Sequence, residues 1–260
     1  MPDRQAARSL TADAAAGAFA RDGYVVVRGL APHDACADMA TQALAALDPL
    51  VGPAEFEADV GYPGAPAARG ARGGDTPRRL LNAYARGAEF RRWATDAGVL
   101  ATLSRLTGGR RLLLSQCHHN CVMTKHPGYG SATLWHHDIR YWSFERPDLV
   151  SVWLALGRER AANGALWVIP GSHRLRVGRG RLDRDLFLRP ESPENARLID
   201  AAVPLELEAG DVLFFHCRLF PAAGRNDTDR VKLSVVFTYH DADNRPIPGT
   251  RSARYPSIAP

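Results

Sequence analysis

Residues 149–169 read LVSVWLALGRERAANGALWVI. Leu149 to Leu156 is a run of strong β-formers, Gly157 and Asn163-Gly164 are turn signals, and Ala165 to Ile169 is a second β-type run. No long helix fits between them. The two runs therefore read as strands of an antiparallel sandwich or barrel of jelly-roll type, not as a parallel βαβ unit.

The same alternation extends outward. Short β-type runs cover 111–125, 132–139, 203–207, 211–217 and 231–240, each bounded by turn residues. Arg174 to Arg189 interrupts them as a basic insert. Upstream, the pattern changes to helical spacing. Thr11 to Arg21 predicts a helix with Thr11 as N-cap, Gly23 ends it, and Tyr24 to Val27 is a strand. Pro32 to Leu47 predicts a helix, and Val51 to Pro77, rich in Gly, Pro and Ala, a long loop. Gly87 to Leu106 predicts one helix, with Phe90, Trp93, Ala94, Ala97, Leu100 and Leu103 on its apolar face. The expectation is a single domain over 1–260: a helical part, 1–109, packed on a mainly β core, 110–260.

Composition narrows the class. The 260 residues are 45% hydrophobic and 23% charged, which suits a soluble globular chain large enough to bury a full core. The longest apolar stretch, Leu149 to Gly157, is far below the roughly 20 residues of a membrane span. The first residues carry no apolar core of a secretory signal. Four cysteines are too few for a disulfide scaffold, so reduced thiols in a cytoplasm are expected. The formal charge is +5, and only Lys125 and Lys232 among 33 basic residues are lysines. The arginines are not interleaved with aromatics, which argues against nucleic acid. The basic insert reads either as a lid attracting an anionic small molecule or as a solvated loop.

The densest chemistry lies in Trp135-His136-His137-Asp138-Ile139-Arg140-Tyr141-Trp142. On a strand, His136 and Asp138 share a face and His137 takes the other. An imidazole and a carboxylate converging in this way suit a divalent ion such as Fe(II). A second polar run, Gln116-Cys117-His118-His119-Asn120-Cys121, would place Gln116, His118 and Asn120 on one face, where polar groups need partners. Cys117, His119 and Cys121 would then be packing residues.

Four segments in order resemble the phytanoyl-CoA dioxygenase family, which also includes ectoine hydroxylases. They are Phe19 to Leu30, the Trp135 to Trp142 segment, Gly164-Ala-Leu166 running on to Pro170-Gly171-Ser172-His173, and Gly210 to His216. The resemblance implies a cupin-like double-stranded β-helix using Fe(II) and 2-oxoglutarate to hydroxylate a small molecule. It implies His136 and Asp138 as iron ligands and catalytic centre, and Gln116, Asn120 and Trp142 as pocket residues. It also places a cation for the cosubstrate carboxylate at Lys232, with Arg230 able to share the role.

One position departs from the pattern. The resemblance calls for a distal histidine five residues beyond His216, and the chain has Pro221 there. Proline has no side-chain donor. Three readings stay open: His216 replaces the ligand through a bulge, iron binds through His136 and Asp138 alone, or metal chemistry is lost. In the last case the chain binds a small anionic ligand or a partner without turnover.

Overall fold

The computed structural model describes residues 12–260; Thr11, the expected N-cap, lies outside them. Helix α1 (Ala12–Asp22) leads into β1 (Tyr24–Val27), and α2 (His33–Ala45) follows. Next come β2 (Ala54–Phe56), β3 (Pro77–Leu81) and helices α3 (Ala83–Arg86), α4 (Ala88–Ala94) and α5 (Ala97–Leu106). The remaining strands are β4 (Leu112–Lys125), β5 (Leu149–Ala155), β6 (Leu166–Ile169), β7 (Val203–Pro204), β8 (Val212–His216), β9 (Phe220–Ala223) and β10 (Lys232–Asp241), with α6 (Pro193–Asp200) before β7.

The strands form two antiparallel sheets. The larger has the order β1-β8-β5-β10-β4-β3-β2 and the smaller β7-β6-β9. Period-two alternation with both faces covered explains why β5 is apolar but for Ser151. Val152 and Leu154 face the helices with Phe214, Val235 and Phe237. Trp153 and Ala155 face the small sheet with Leu166, Val168, Leu213 and Phe215. Both faces of the large sheet are covered, so every β5 residue is buried. The small sheet closes over the large one as a jelly roll of the cupin type.

Several elements differ from the sequence reading. The helix expected over Gly87 to Leu106 is two helices. Asp96 breaks it, its Oδ1 accepting from Gly98 N and Val99 N as the N-cap of α5. The loop 51–77 contains β2, which pairs with β3 at the sheet edge. The expected strand 132–139 is absent. Thr133 and His136 make single bridges to Ala223 and Phe187, and Asp138–Tyr141 turns as a 3-10 helix.

The largest departure is in β4. Its register against β10 jumps from Phe237↔Asn120 to Thr238↔Ser115, so residues 116–119 bulge out of the ladder. His118 sits at φ 60°, in the left-handed region. The bulge breaks the alternation that the reading of 116–121 relied on.

Candidate functional site

A pocket of about 770 Å³, mouth included, opens between the sheets. His136 and Asp138 stand buried in its wall. The extended backbone of His137 carries them to the same side without a strand. His136 Nε2 lies 3.1 Å from Asp138 Oδ1. His136 Nδ1 is 2.7 Å from the Leu134 carbonyl. A carbonyl only accepts, so Nδ1 carries a proton and the Nε2 edge of the ring is the one turned to the Asp138 carboxylate. A ring nitrogen and a carboxylate oxygen at that distance are joined by a cation, which a proton on Nε2 or a metal ion can supply. Asp138 Oδ2, also buried, has no hydrogen-bond partner. Its near neighbour is His119 Nδ1 at 3.7 Å. These features fit a small divalent ion, whose donors lie at about 2.1 Å, with a ring held by an outer carbonyl.

Charge around the pair is set by burial. Burial raises the Asp138 pKa, but His119, the bond from His136 and Arg79 outweigh it and hold the group below the ordinary carboxylate range. Burial pushes His119 down to about 4, with Arg79 and His136 adding to the effect and Asp138 opposing it. His118 is driven well below its ordinary value by burial and by Arg79. His137 points away, its ring 3.7 Å from that of Phe220.

Pro221, on β9, lines the same pocket. Its carbonyl accepts from His136 N at 3.4 Å, while its ring offers no donor to an ion. His216 does not take its place. His216 Nε2 lies 3.5 Å from Asp148 Oδ1, Nδ1 accepts from Arg218 N, and the residue is not in the pocket wall. Among the described residues, no three His, Cys, Asp or Glu side chains are grouped to hold an ion.

The other expected residues separate. Lys232 lines the pocket, but its Nζ lies 3.1 Å from Glu159 Oε2. Glu159 Oε1 accepts from Ser234 Oγ at 2.6 Å and from Trp153 Nε1 at 3.0 Å. The β4 bulge turns Gln116 outward to donate to the Pro256 carbonyl, and Asn120 Oδ1 accepts from Tyr84 N. Trp142 donates to the Cys117 carbonyl and sets its ring edge-on to His118 and His119, behind the pocket wall. Arg230 is exposed.

The structure also brings to the pocket residues that the sequence reading left between a binding and a packing or solvated role, among them His118, Arg78 and Arg79, and adds His119, expected to be a packing residue. His118 and His119 both reach the pocket because of the bulge. Arg78 pairs with Glu57 and donates to Ser131 and Thr133. Arg79 pairs with Glu55 and bonds His118. At the mouth, the Tyr62 and Tyr141 hydroxyls are 2.7 Å apart, and Phe187 packs edge-on to both Tyr62 and His136. Phe187 is what the basic insert contributes. Arg179 folds back onto carbonyls of its own loop, and Arg181 pairs with Glu194 and bonds Asn195.

The profile of the phytanoyl-CoA dioxygenase (PhyH) family matches residues 19–234. Phytanoyl-CoA dioxygenase 1 of Oryza sativa subsp. japonica is 28% identical over 127 residues, 49% of this chain and 44% of that protein. Ectoine dioxygenase of Sphingopyxis alaskensis is 27% identical over 249 residues, 88% of this chain and 76% of that protein. The chain thus spans less than half the length of the rice relative. The epimerase SnoN, solved with Fe3+, alpha ketoglutarate and nogalamycin RO, aligns with a TM-score of 0.71 at 25% identity, covering 96% of this chain and 94% of that one. EctD from S. alaskensis with 2-oxoglutarate and 5-hydroxyectoine gives a TM-score of 0.73 at 22% identity over 94% and 84% of the two chains, a likeness of fold.

Proposed function

This chain belongs to the phytanoyl-CoA dioxygenase family, and from that premise we propose that it is an iron(II)- and 2-oxoglutarate-dependent oxygenase hydroxylating a small molecule. The observation that carries the reading is the buried His136–Asp138 pair, with a ring nitrogen and a carboxylate converging on one side of the pocket and Asp138 Oδ2 unpartnered. The structural likeness to SnoN with its iron and alpha ketoglutarate supports it.

His136 Nε2 and the Asp138 carboxylate would hold the iron, and the Leu134 carbonyl keeps the ring oriented. Bound iron would supply the oxidative chemistry, in which one atom of O₂ goes to 2-oxoglutarate as it becomes succinate and CO₂ and the other goes to the substrate C–H as hydroxyl. The protein's part is to position the diacid, leave the substrate side open and exclude water. Tyr62, Tyr141 and Phe187 supply the apolar cover at the mouth. Four buried free thiols support a reducing, cytoplasmic setting. Among the described residues, no helix is long and apolar enough to cross a membrane.

A second reading rests on Pro221. Its ring stands where the resemblance puts the third ligand, which favours a chain that binds a small anion without turnover. Purified protein with Fe(II), 2-oxoglutarate and oxygen separates the two. The oxygenase reading expects succinate release that His136→Ala and Asp138→Ala abolish. If the wild type neither retains Fe(II) nor releases succinate, and Pro221→His gains both, the binding-only reading stands instead.

A further inference from the structure

The chain's two lysines face each other. Lys125 at the end of β4 pairs in register with Lys232 at the start of β10, and both line the pocket. Like charges directly opposed across strands are destabilising unless something compensates them. Lys232 is compensated by Glu159, itself fully buried and held by Ser234 and Trp153. Lys125 is not. Among the described residues its ammonium meets the Gly224 carbonyl and no carboxylate.

Its placement is nonetheless tightly specified. A Cβ on Gly164 would lie 2.5 Å from Lys125 Cδ, and one on Gly130 would lie 3.2 Å from Lys125 Cγ. The apolar stem therefore runs through a slot that two glycines leave open. Asn226 Nδ2 donates to the Lys125 carbonyl and fixes the strand end. A long flexible cation, threaded into a pocket with no carboxylate in ion-pair contact, is an arrangement that a bound anion completes.

We propose that Lys125, and not the neutralised Lys232, receives the distal carboxylate of the 2-oxo diacid. The inference rests on the oxygenase reading above and names which cation serves it. The charges facing the ammonium sharpen the expectation. Burial first, then Lys232 and Arg78, push Lys125 down to about 7, while Glu57 and Glu159 oppose them. A carboxylate arriving at this ammonium stabilises the charged form, so binding at pH 8 takes up a proton, and the uptake fades below pH 6, where the amine is already charged.

The test is calorimetry on the anaerobic Fe(II)-loaded protein, in two buffers of different ionisation enthalpy. The probes are 2-oxoglutarate and 2-oxobutyrate, which lacks the distal carboxylate. Lys125→Met keeps the stem and should weaken 2-oxoglutarate by roughly 10- to 100-fold, remove the proton uptake and leave 2-oxobutyrate within about threefold. Lys125→Arg, which keeps the charge, should retain the preference for the diacid. Unchanged 2-oxoglutarate affinity in Lys125→Met, or an equal loss for both acids, overturns the proposal while the oxygenase reading survives. Failure of the wild type to bind either acid removes that reading and this one with it.

Discussion

Glu159 lies in a turn, Gly157-Arg158-Glu159-Arg160, that reads as ordinary solvated charge. Its side chain is nevertheless fully buried, beneath Lys232 and between Ser234 and Trp153. Nothing in the turn signals this, because the partner that explains the burial is on β10. Removing one member of such a pair strands a buried charge. Glu159→Gln should therefore lower stability by about 3–5 kcal/mol in urea unfolding. Glu159→Gln combined with Lys232→Met should recover part of the loss, since no ammonium is then left uncompensated; a double variant no more stable than the single one would refute this account. His136 and Asp138 contrast with Glu159. A separation of two residues brings donors together on any extended backbone, so their convergence was legible even though the strand assumed for it is missing.

At the scale of the element, alternation succeeded wherever the ladder is regular. The β5 and β8 runs place their large residues on opposite faces in pairs that match register, such as Val152↔Phe214 and Trp153↔Leu213. Phe214, buried against the helices, anchors that arrangement. Phe214→Ala should cost about 3–5 kcal/mol and shift the denaturant midpoint without changing its slope; a cost below about 1 kcal/mol would mean that the helical layer does not depend on this strand. Alternation failed in β4. Residues 116–119 leave the ladder, which turns Gln116 to the Pro256 carbonyl and admits His118 and His119 to the pocket. A bulge with a histidine at φ 60° has no glycine to announce it. The division of the helix at Asp96 was, by contrast, readable. An Asp ahead of an apolar helical run is an N-cap signal, which the continuous apolar stripe from Phe90 to Leu103 concealed.

Across the whole molecule, packing has made six of the nine histidines poor proton acceptors. Burial lowers His119 to about 4 and His137 to about 3, and lowers His118, His126, His173 and His240 as well. The unfolded chain binds protons near pH 6.5 that the folded chain refuses, so stability is full above that value and falls as pH drops towards 4. At pH 5 each strongly lowered histidine removes about 2 kcal/mol. Thermal melts should therefore show a loss of roughly 10 °C between pH 7.5 and pH 5; a flat profile would contradict this picture of the core. The same packing distributes the arginines. In the 174–189 insert Arg179 turns back on its own loop and Arg181 pairs with Glu194 of α6, and it is Arg78 and Arg79, on β3, that reach the pocket. The sequence alone determined the mainly β class, the family, the paired donors His136 and Asp138, and the absence of a donor at Pro221. These are properties of residue type, local period and order along the chain. Only the tertiary structure decided where each charge is satisfied: Lys232 on Glu159, His216 on Asp148, Lys125 left facing the pocket. Satisfaction depends on which distant groups the sheets bring together, and no local pattern encodes that.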